Sequence, residues 1–377
     1  MIMVHQAHIT GWGVAIPKRV LTNDDLAQMV DTSDDWIRSR TGVRERRIAA
    51  PEESTATLAT EAALYALGVA GIRPGDIDLV VVATSTPEHI FPSTASLVQD
   101  RIGAVKAGAF DLSAACTGFI LALNMVAQAI RTGSIANAIV IGAETLSRFT
   151  NWKDRNTCVL FGDGAGAFVL QASEEPGGVL SAVMRSDGSG ADLLSLPAGG
   201  SKMPTSLETV TNGGHFIQMK GQEVFRFATR VMAQSTREVV ARAGWEIEDI
   251  NLIIPHQANQ RIIATAARSL RLPLDRFVIN LDRYGNTSTA SIPLATVEAI
   301  KDGRVTPGDR IVFVGFGAGL TWGAMAVQWT GPLPEEKPGK LAWPFRFDRL
   351  FALYVRFRSG ILRFLRQVEG WVWGRWK

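Results

Sequence analysis

The sequence predicts an α/β fold assembled from two related halves, with sheets covered by helices. Short apolar runs alternate with alanine-rich segments of helical periodicity. The chain also resembles itself: AGIRPGDIDLVVVATST (70–86) aligns without a gap with AGWEIEDINLIIPHQAN (243–259), an offset of 173 residues. With 377 residues, 46% apolar and 20% charged, the chain can bury a large core, and a disordered or collagen-like polymer is excluded.

Taken in order, IDLVVVATS (77–85), AIVIGAE (138–144) and RIVFVGFG (310–317) are nearly continuous in apolar residues, which suits strands buried on both faces. Gly142 falls on Gly315 at the same offset, and the segment 109–130 parallels 278–300. SEEPGG (173–178) supplies a turn between the repeats, so the halves are expected at 1–175 and 176–331. PLPEEKPGK (332–340) reads as a linker that opens a third region, 332–377.

That last region changes the meaning of the charge. Residues 333–377 carry ten Lys or Arg against four acids, a surplus of six, so a chain of net +3 has a body at −3. The basic pI therefore argues for no nucleic-acid partner of the body. In the tail, Phe347, Leu350, Tyr354, Phe357, Ile361, Phe364, Val368 and Trp371 recur at spacings of three and four, the pattern of an amphipathic helix. Its apolar face could enter a membrane interface, pack on the body or pair with another helix, and no run of about 20 residues is free enough of charge to span a bilayer. Two cysteines make no disulfide framework, and MIMVHQAHITGWG has no signal-peptide pattern, so the expected location is the cytoplasm, with the tail as a peripheral contact (343–377) on the membrane's inner face.

Cys116, in DLSAACTGF, precedes the apolar-periodic run Phe119, Ile120, Leu123, Val126, Ile130, which places the thiol at the start of a buried helix. Unpaired N–H groups and the helix dipole there are expected to lower its pKa, although a free cysteine more often serves as a small hydrophobe. Cys158, inside CVLF, has no such setting and reads as structural. His256 follows the strand LIIP, at the C-terminal end where open α/β sheets place ligand sites. Asn286, in RYGNTSTASIP, lies in the repeat segment that corresponds to the cysteine segment. Duplication thus brings Cys116 from one half toward His256 and Asn286 from the other. GFGAGLTWG (315–323) suits close backbone approach and an oxyanion N–H, while FGDGAGA (161–167) reads as a tight turn between strands. No ligand cluster suggests a metal, and no cofactor is expected.

DLSAACTGF, PHQAN, YGNTS and GFGAGLTWG together resemble β-ketoacyl-acyl carrier protein synthase III, the condensing enzyme that initiates type II fatty-acid synthesis. The likeness runs from ITGWGVAIPKRVLTNDDL (9–26) to about residue 330. It implies a thiolase-like five-layered αβαβα fold, a homodimer, and acyl-CoA and malonyl-acyl carrier protein as substrates. It also implies Cys116, His256 and Asn286 as catalytic residues, with the backbone N–H groups of Cys116 and Ala318 as an oxyanion hole. Trp36, Arg40, Arg155 and Asn259 would hold coenzyme A, Phe316 would shape the acyl pocket, Phe91 would reach across the dimer into the partner's acyl pocket, and Arg226 and Arg261 would meet the acidic carrier protein. Ala318 stands where many relatives have glycine, and Thr289 where alanine is usual. A related thiolase-fold acyltransferase of secondary metabolism, or one joining two acyl chains, is the alternative; a non-catalytic subunit would have lost part of the triad.

Overall fold

The computed structural model describes residues 5–334 and, in the tail, 357–361, 364, 365 and 368. Two sheets carry the body. The first comprises β1 (Gln6–Ala15), β2 (Leu79–Ala83), β3 (Gly108–Leu112), β4 (Asn137–Thr145) and β5 (Asp163–Ser173), in the order β1-β5-β4-β2-β3. The second comprises β6 (Gly178–Ser186), β7 (Leu252–Pro255), β8 (Arg310–Gly317) and β9 (Thr321–Gln328), in the order β7-β8-β9-β6. The pairing repeats as well as the order. Leu79 faces Ala138 in one parallel pair and Leu252 faces Ile311 in the other, so both partners keep the 173-residue offset.

Five layers follow from which face of each strand is apolar. Helices α2 (Thr55–Ala70) and α3 (Thr94–Ile102) cover the outer face of the first sheet, against Val80, Val82, Ile139 and Ile141. Helices α5 (Gly221–Arg242) and α6 (Gln260–Leu270) cover the second, against Ile253, Val312 and Val314. Between the sheets lie α4 (Gly118–Arg131) and α7 (Ser291–Lys301), packed on Val81 and Val140 from one side and on Ile254, Ile311 and Phe313 from the other. Strand residues alternate between faces, so both faces of each sheet must be apolar, which is why these strands read as unbroken apolar runs.

Two sequence expectations shift. The repeat is in register at the central helices: the turn Ala115–Thr117 before α4 matches Ser288–Ala290 before α7, again 173 residues on, so the pairing of 109–130 with 278–300 is out of step there. FGDGAGA is the opening of β5 rather than a turn. A Cβ on Gly166 would lie 2.6 Å from the Cβ of Pro293, so the missing side chain lets α7 rest directly on the sheet.

Candidate active site

Three segments meet between α4, α7 and the ends of β7 and β8. Cys116 occupies the turn before α4 and is only 8% exposed. Thr117 Oγ1 and Thr321 Oγ1 lie 2.6 Å apart, and both bond the Ala114 carbonyl, which ties the cysteine turn to the glycine-rich loop. A Cβ on Gly315 would lie 3.5 Å from the His256 Cβ and 3.7 Å from the Cys116 carbonyl oxygen; one on Gly317 would lie 2.7 Å from the Cys116 nitrogen. Alternate residues of β8 face the same way, so the G-x-G spacing clears the face on which the Cys116 backbone and His256 lie.

His256 directly follows β7, its N–H donating to the Val314 carbonyl at 2.8 Å and its ring standing edge-on to Phe316 with centroids 5.4 Å apart. It is 1% exposed, and burial pushes its pKa down to about 3, so the imidazole is neutral at physiological pH. Nδ1 has no partner among the described residues. Asn286 is clamped by its backbone: its N–H donates to the Leu160 carbonyl at 2.8 Å and its carbonyl accepts from Gly162 at 3.0 Å. Gly285 precedes it with φ 64° and ψ −157°, a conformation nearly restricted to glycine. Asn286 Oδ1 accepts from the Ser288 N–H at 2.9 Å, which assigns the amide oxygen and leaves Nδ2 as the donor end.

The thiol differs from the sequence expectation. Burial pushes the Cys116 pKa up to about 12, the charge of Glu144 acts in the same direction, and a hydrogen bond from Ser288 opposes both. A helix terminus offers about 0.3–1 kcal/mol, too little to offset that desolvation. Cys116 therefore rests as a neutral thiol. Cys158 is also buried with a raised pKa, near 11, chiefly from burial.

Glu144, at the end of β4, escaped the sequence reading because a lone acid in an apolar run carries no motif. It is fully buried and accepts from the Ser85 N–H, Thr84 Oγ1 and Thr86 Oγ1 of the first half and from Ser288 Oγ and Thr289 Oγ1, both at 3.0 Å, of the second. Burial raises its pKa, and these hydrogen bonds work against the rise. The residue where alanine is usual, Thr289, is thus a donor to a carboxylate that joins the two halves behind the site.

A cavity of about 100 Å³ opens on Cys116, Ser288 and Ala318, with apolar walls from Leu146, Phe149, Phe161, Leu194, Leu196 and Ile217. Phe316, expected in the acyl pocket, is not among its lining residues. Phe316 packs on His256 and Phe227, while Phe91 is 84% exposed.

The residues expected at coenzyme A do converge. On α1 (Asp34–Thr41), Trp36 is half-buried, with the guanidinium carbons of Arg40 and Arg155 at 5.0 and 5.2 Å from its ring centroid. Asn259 Nδ2 donates to the Arg40 carbonyl at 3.0 Å, and Arg155 donates to the Asp31 carbonyl at 2.8 Å. Arg261 stacks on Phe225 at 5.3 Å, and Arg226 is the next residue of that same exposed helix turn. Among the described residues no His, Cys, Asp and Glu cluster could hold a metal ion.

A buried cysteine in one half, with a neutral histidine and a backbone-clamped asparagine from the other half in the adjoining segments of a five-layered fold, points to the class of thiolase-like acyl-transferring enzymes. Profiles described as 3-oxoacyl-[acyl-carrier-protein (ACP)] synthase III match residues 110–188 and, for its C-terminal part, 240–329. The β-ketoacyl-[acyl-carrier-protein] synthase III of Symbiobacterium thermophilum is 56% identical over 321 residues, covering 85% of this chain and 97% of that protein. The solved structure of 3-oxoacyl-[acyl-carrier-protein] synthase III from Aquifex aeolicus is similar at a TM-score of 0.79 and 47% identity, covering 86% of this chain and all of that one. The priming β-ketosynthase of the R1128 polyketide pathway is similar at 0.81 and 34%, covering 89% and 99%. This chain belongs to the β-ketoacyl-[acyl-carrier-protein] synthase III family. It is a condensing acyltransferase.

Proposed function

We propose that the chain joins an acyl-CoA primer to malonyl-acyl carrier protein, releasing coenzyme A and CO2 and giving a 3-oxoacyl-acyl carrier protein. The observation that carries this reading is that Cys116 lines an apolar-walled cavity together with Ser288, of the turn that follows Asn286, and that its backbone lies on the same face of β8 as His256. The higher identity to fatty-acid synthases than to the polyketide priming enzyme favours fatty-acid initiation over secondary metabolism.

In the first step Cys116 gives up its proton and its sulfur attacks the thioester carbonyl, with the backbone N–H groups of Cys116 and Ala318 facing the oxyanion. The bond to coenzyme A breaks, and the departing thiolate takes up the proton. A thiol of pKa near 12 is a weak nucleophile, so proton removal accompanies attack instead of preceding it. Malonyl-acyl carrier protein then enters, and its carboxylate leaves as CO2. The electron pair moves onto the thioester oxygen, where His256 and Asn286 Nδ2 donate. Because His256 is neutral it donates without changing charge, as a donor for an enolate must through repeated turnovers. The enolate carbon attacks the acyl-cysteine, the bond to Cys116 breaks, and the sulfur leaves as a thiolate that takes a proton from solvent to restore the thiol.

Coenzyme A lies along Trp36, Arg40, Arg155 and Asn259. Stacking an adenine between two planar groups needs roughly 7 Å between them, at about 3.5 Å per contact, so Arg155 swings off Trp36 when the nucleotide enters. Arg226 and Arg261 offer the acidic carrier protein a basic patch. The protein works in the cytoplasm as a homodimer: β3 is an edge strand with Phe110 exposed, and Phe91 is free to complete the partner's pocket. The division into 1–175 and 176–331 follows the two repeats.

The test is to incubate the enzyme with acyl-CoA alone and map the adduct by mass. A panel of primers supplied with malonyl-acyl carrier protein then gives the products. Acylation is expected at Cys116 only; acyl groups equally on Cys158, or none on Cys116, would defeat the assignment.

A further inference from the structure

The family match takes in 321 of the 377 residues of this chain and nearly the whole of its relative, and the C-terminal profile ends at residue 329. The tail is outside it. Of the tail, 357–361, 364, 365 and 368 are helical. Phe357, Ile361, Phe364, Leu365 and Val368 are 69, 42, 64, 48 and 39% exposed. At 100° per residue these five fall within an arc of roughly 100°, so they form one apolar stripe.

The opposite side of the helix is the one engaged with the body. Ser359, on the far side from the stripe, donates to both carboxylate oxygens of Asp100 on α3 at 2.9 and 3.0 Å, and Arg358 Nη1 lies 3.9 Å from the same carboxylate. A helix docked to cover its apolar face would be turned the other way. Here the polar side is attached and the apolar stripe faces out, so of the three occupants the sequence leaves open the chain's own body does not cover these residues.

What covers the stripe is indicated by charge. Residues 333–377 hold a surplus of six positive charges, whereas the rest of the chain is at −3. Pairing with the tail of a second copy would set two such surpluses against each other; an anionic surface would neutralise them. The same three- and four-residue apolar spacing continues in sequence through Phe347, Leu350 and Tyr354, and Trp343, Trp371, Trp373 and Trp376 flank it, all outside the described residues. We propose that the outward stripe seats on an anionic lipid surface, whose charge complements the cationic surplus of the tail, while α3 holds the helix on the enzyme. No helix among the described residues is long and apolar enough to cross a membrane, so the contact is one of lying on the surface.

The experiment is flotation of the full chain with vesicles of phosphatidylcholine alone or mixed with phosphatidylglycerol, beside the double variant Ile361→Asp with Phe364→Asp. Both substituted side chains are exposed, so folding and condensation of soluble substrates serve as controls and are expected unchanged. The full chain is expected to float with the anionic vesicles, to be released by salt, and to lose about tenfold in bound fraction in the variant. Equal flotation with neutral vesicles, or flotation unaffected by the substitutions, would overturn the proposal. So would absence of flotation together with a fall in oligomeric mass of the variant without lipid, which would give the stripe to a second copy.

Discussion

Ala115 and Ser288, 173 residues apart, hold the same left-handed backbone, each with φ at +46°. Each opens the turn before a central helix, and each costs on the order of 1 kcal/mol for a residue with a Cβ. That common bend points the next residue of each half, Cys116 and Thr289, into the centre. The counterpart of Cys116 is therefore a buried threonine whose hydroxyl donates to Glu144. The strand glycines repeat the relation: a Cβ on Gly142 would come 2.2 Å from the Thr289 carbonyl oxygen, and one on its counterpart Gly315 would come 3.7 Å from the Cys116 carbonyl oxygen. A symmetric frame thus holds an asymmetric pair, a cavity-lining thiol on one side and a threonine bonded to a buried carboxylate on the other.

His256→Ala and Asn286→Ala are expected to retain acyl transfer to Cys116 while losing about 10²–10³-fold in decarboxylation and condensation, because their donors serve the enolate. Single-turnover acylation, followed by mass, separates the steps. Loss of acylation as severe as in Cys116→Ala would show that the pair acts earlier.

Gly317→Ala should disrupt acylation itself, by about 10²-fold, since its Cβ would lie 2.7 Å from the Cys116 nitrogen, backbone against backbone. Gly75→Ala, whose Cβ would meet nothing within 4 Å, is the control. Equal acylation rates in the two variants would remove Gly317 from the oxyanion geometry.

The buried histidine leaves a signature in stability. Between about pH 3 and 6.5 the unfolded chain binds a proton at His256 that the folded chain does not, so stability rises with pH across that window, by up to about 1.4 kcal/mol per unit from this group. Denaturant titrations of the wild type and His256→Gln at several pH values should show the wild type losing stability relative to the variant as pH falls below 6.5. A constant difference would mean that His256 takes up a proton in the folded protein as readily as in the unfolded chain.

Glu144→Ala is expected to destabilise the fold by about 3 kcal/mol or more, because five hydrogen-bond donors from both halves lose their acceptor. Thr289→Ser keeps its donor and should be close to neutral, whereas Thr289→Ala should cost about 1 kcal/mol. Thermal unfolding orders the three; a stable Glu144→Ala would mean that water takes the carboxylate's place.

The sequence by itself determined the chemistry available and the symmetry that arranges it. The 173-residue repeat, the apolar strands, the G-x-G at 315–317 and the motifs around Cys116, His256 and Asn286 are all local or periodic, and they were readable because backbone geometry forces them to be. The grouping of Trp36, Arg40, Arg155 and Asn259 was legible only through family resemblance, since they lie on separate segments. Tertiary structure alone decided that Cys116 rests as a thiol, that Leu146, Phe149 and Leu196 instead of Phe316 wall the cavity, that Glu144 joins the halves, and that the tail faces its apolar stripe outward. Desolvation and cavity shape sum over atoms brought together from distant parts of the chain, so no window of sequence contains them; the charge a buried group can carry is a property of its neighbours.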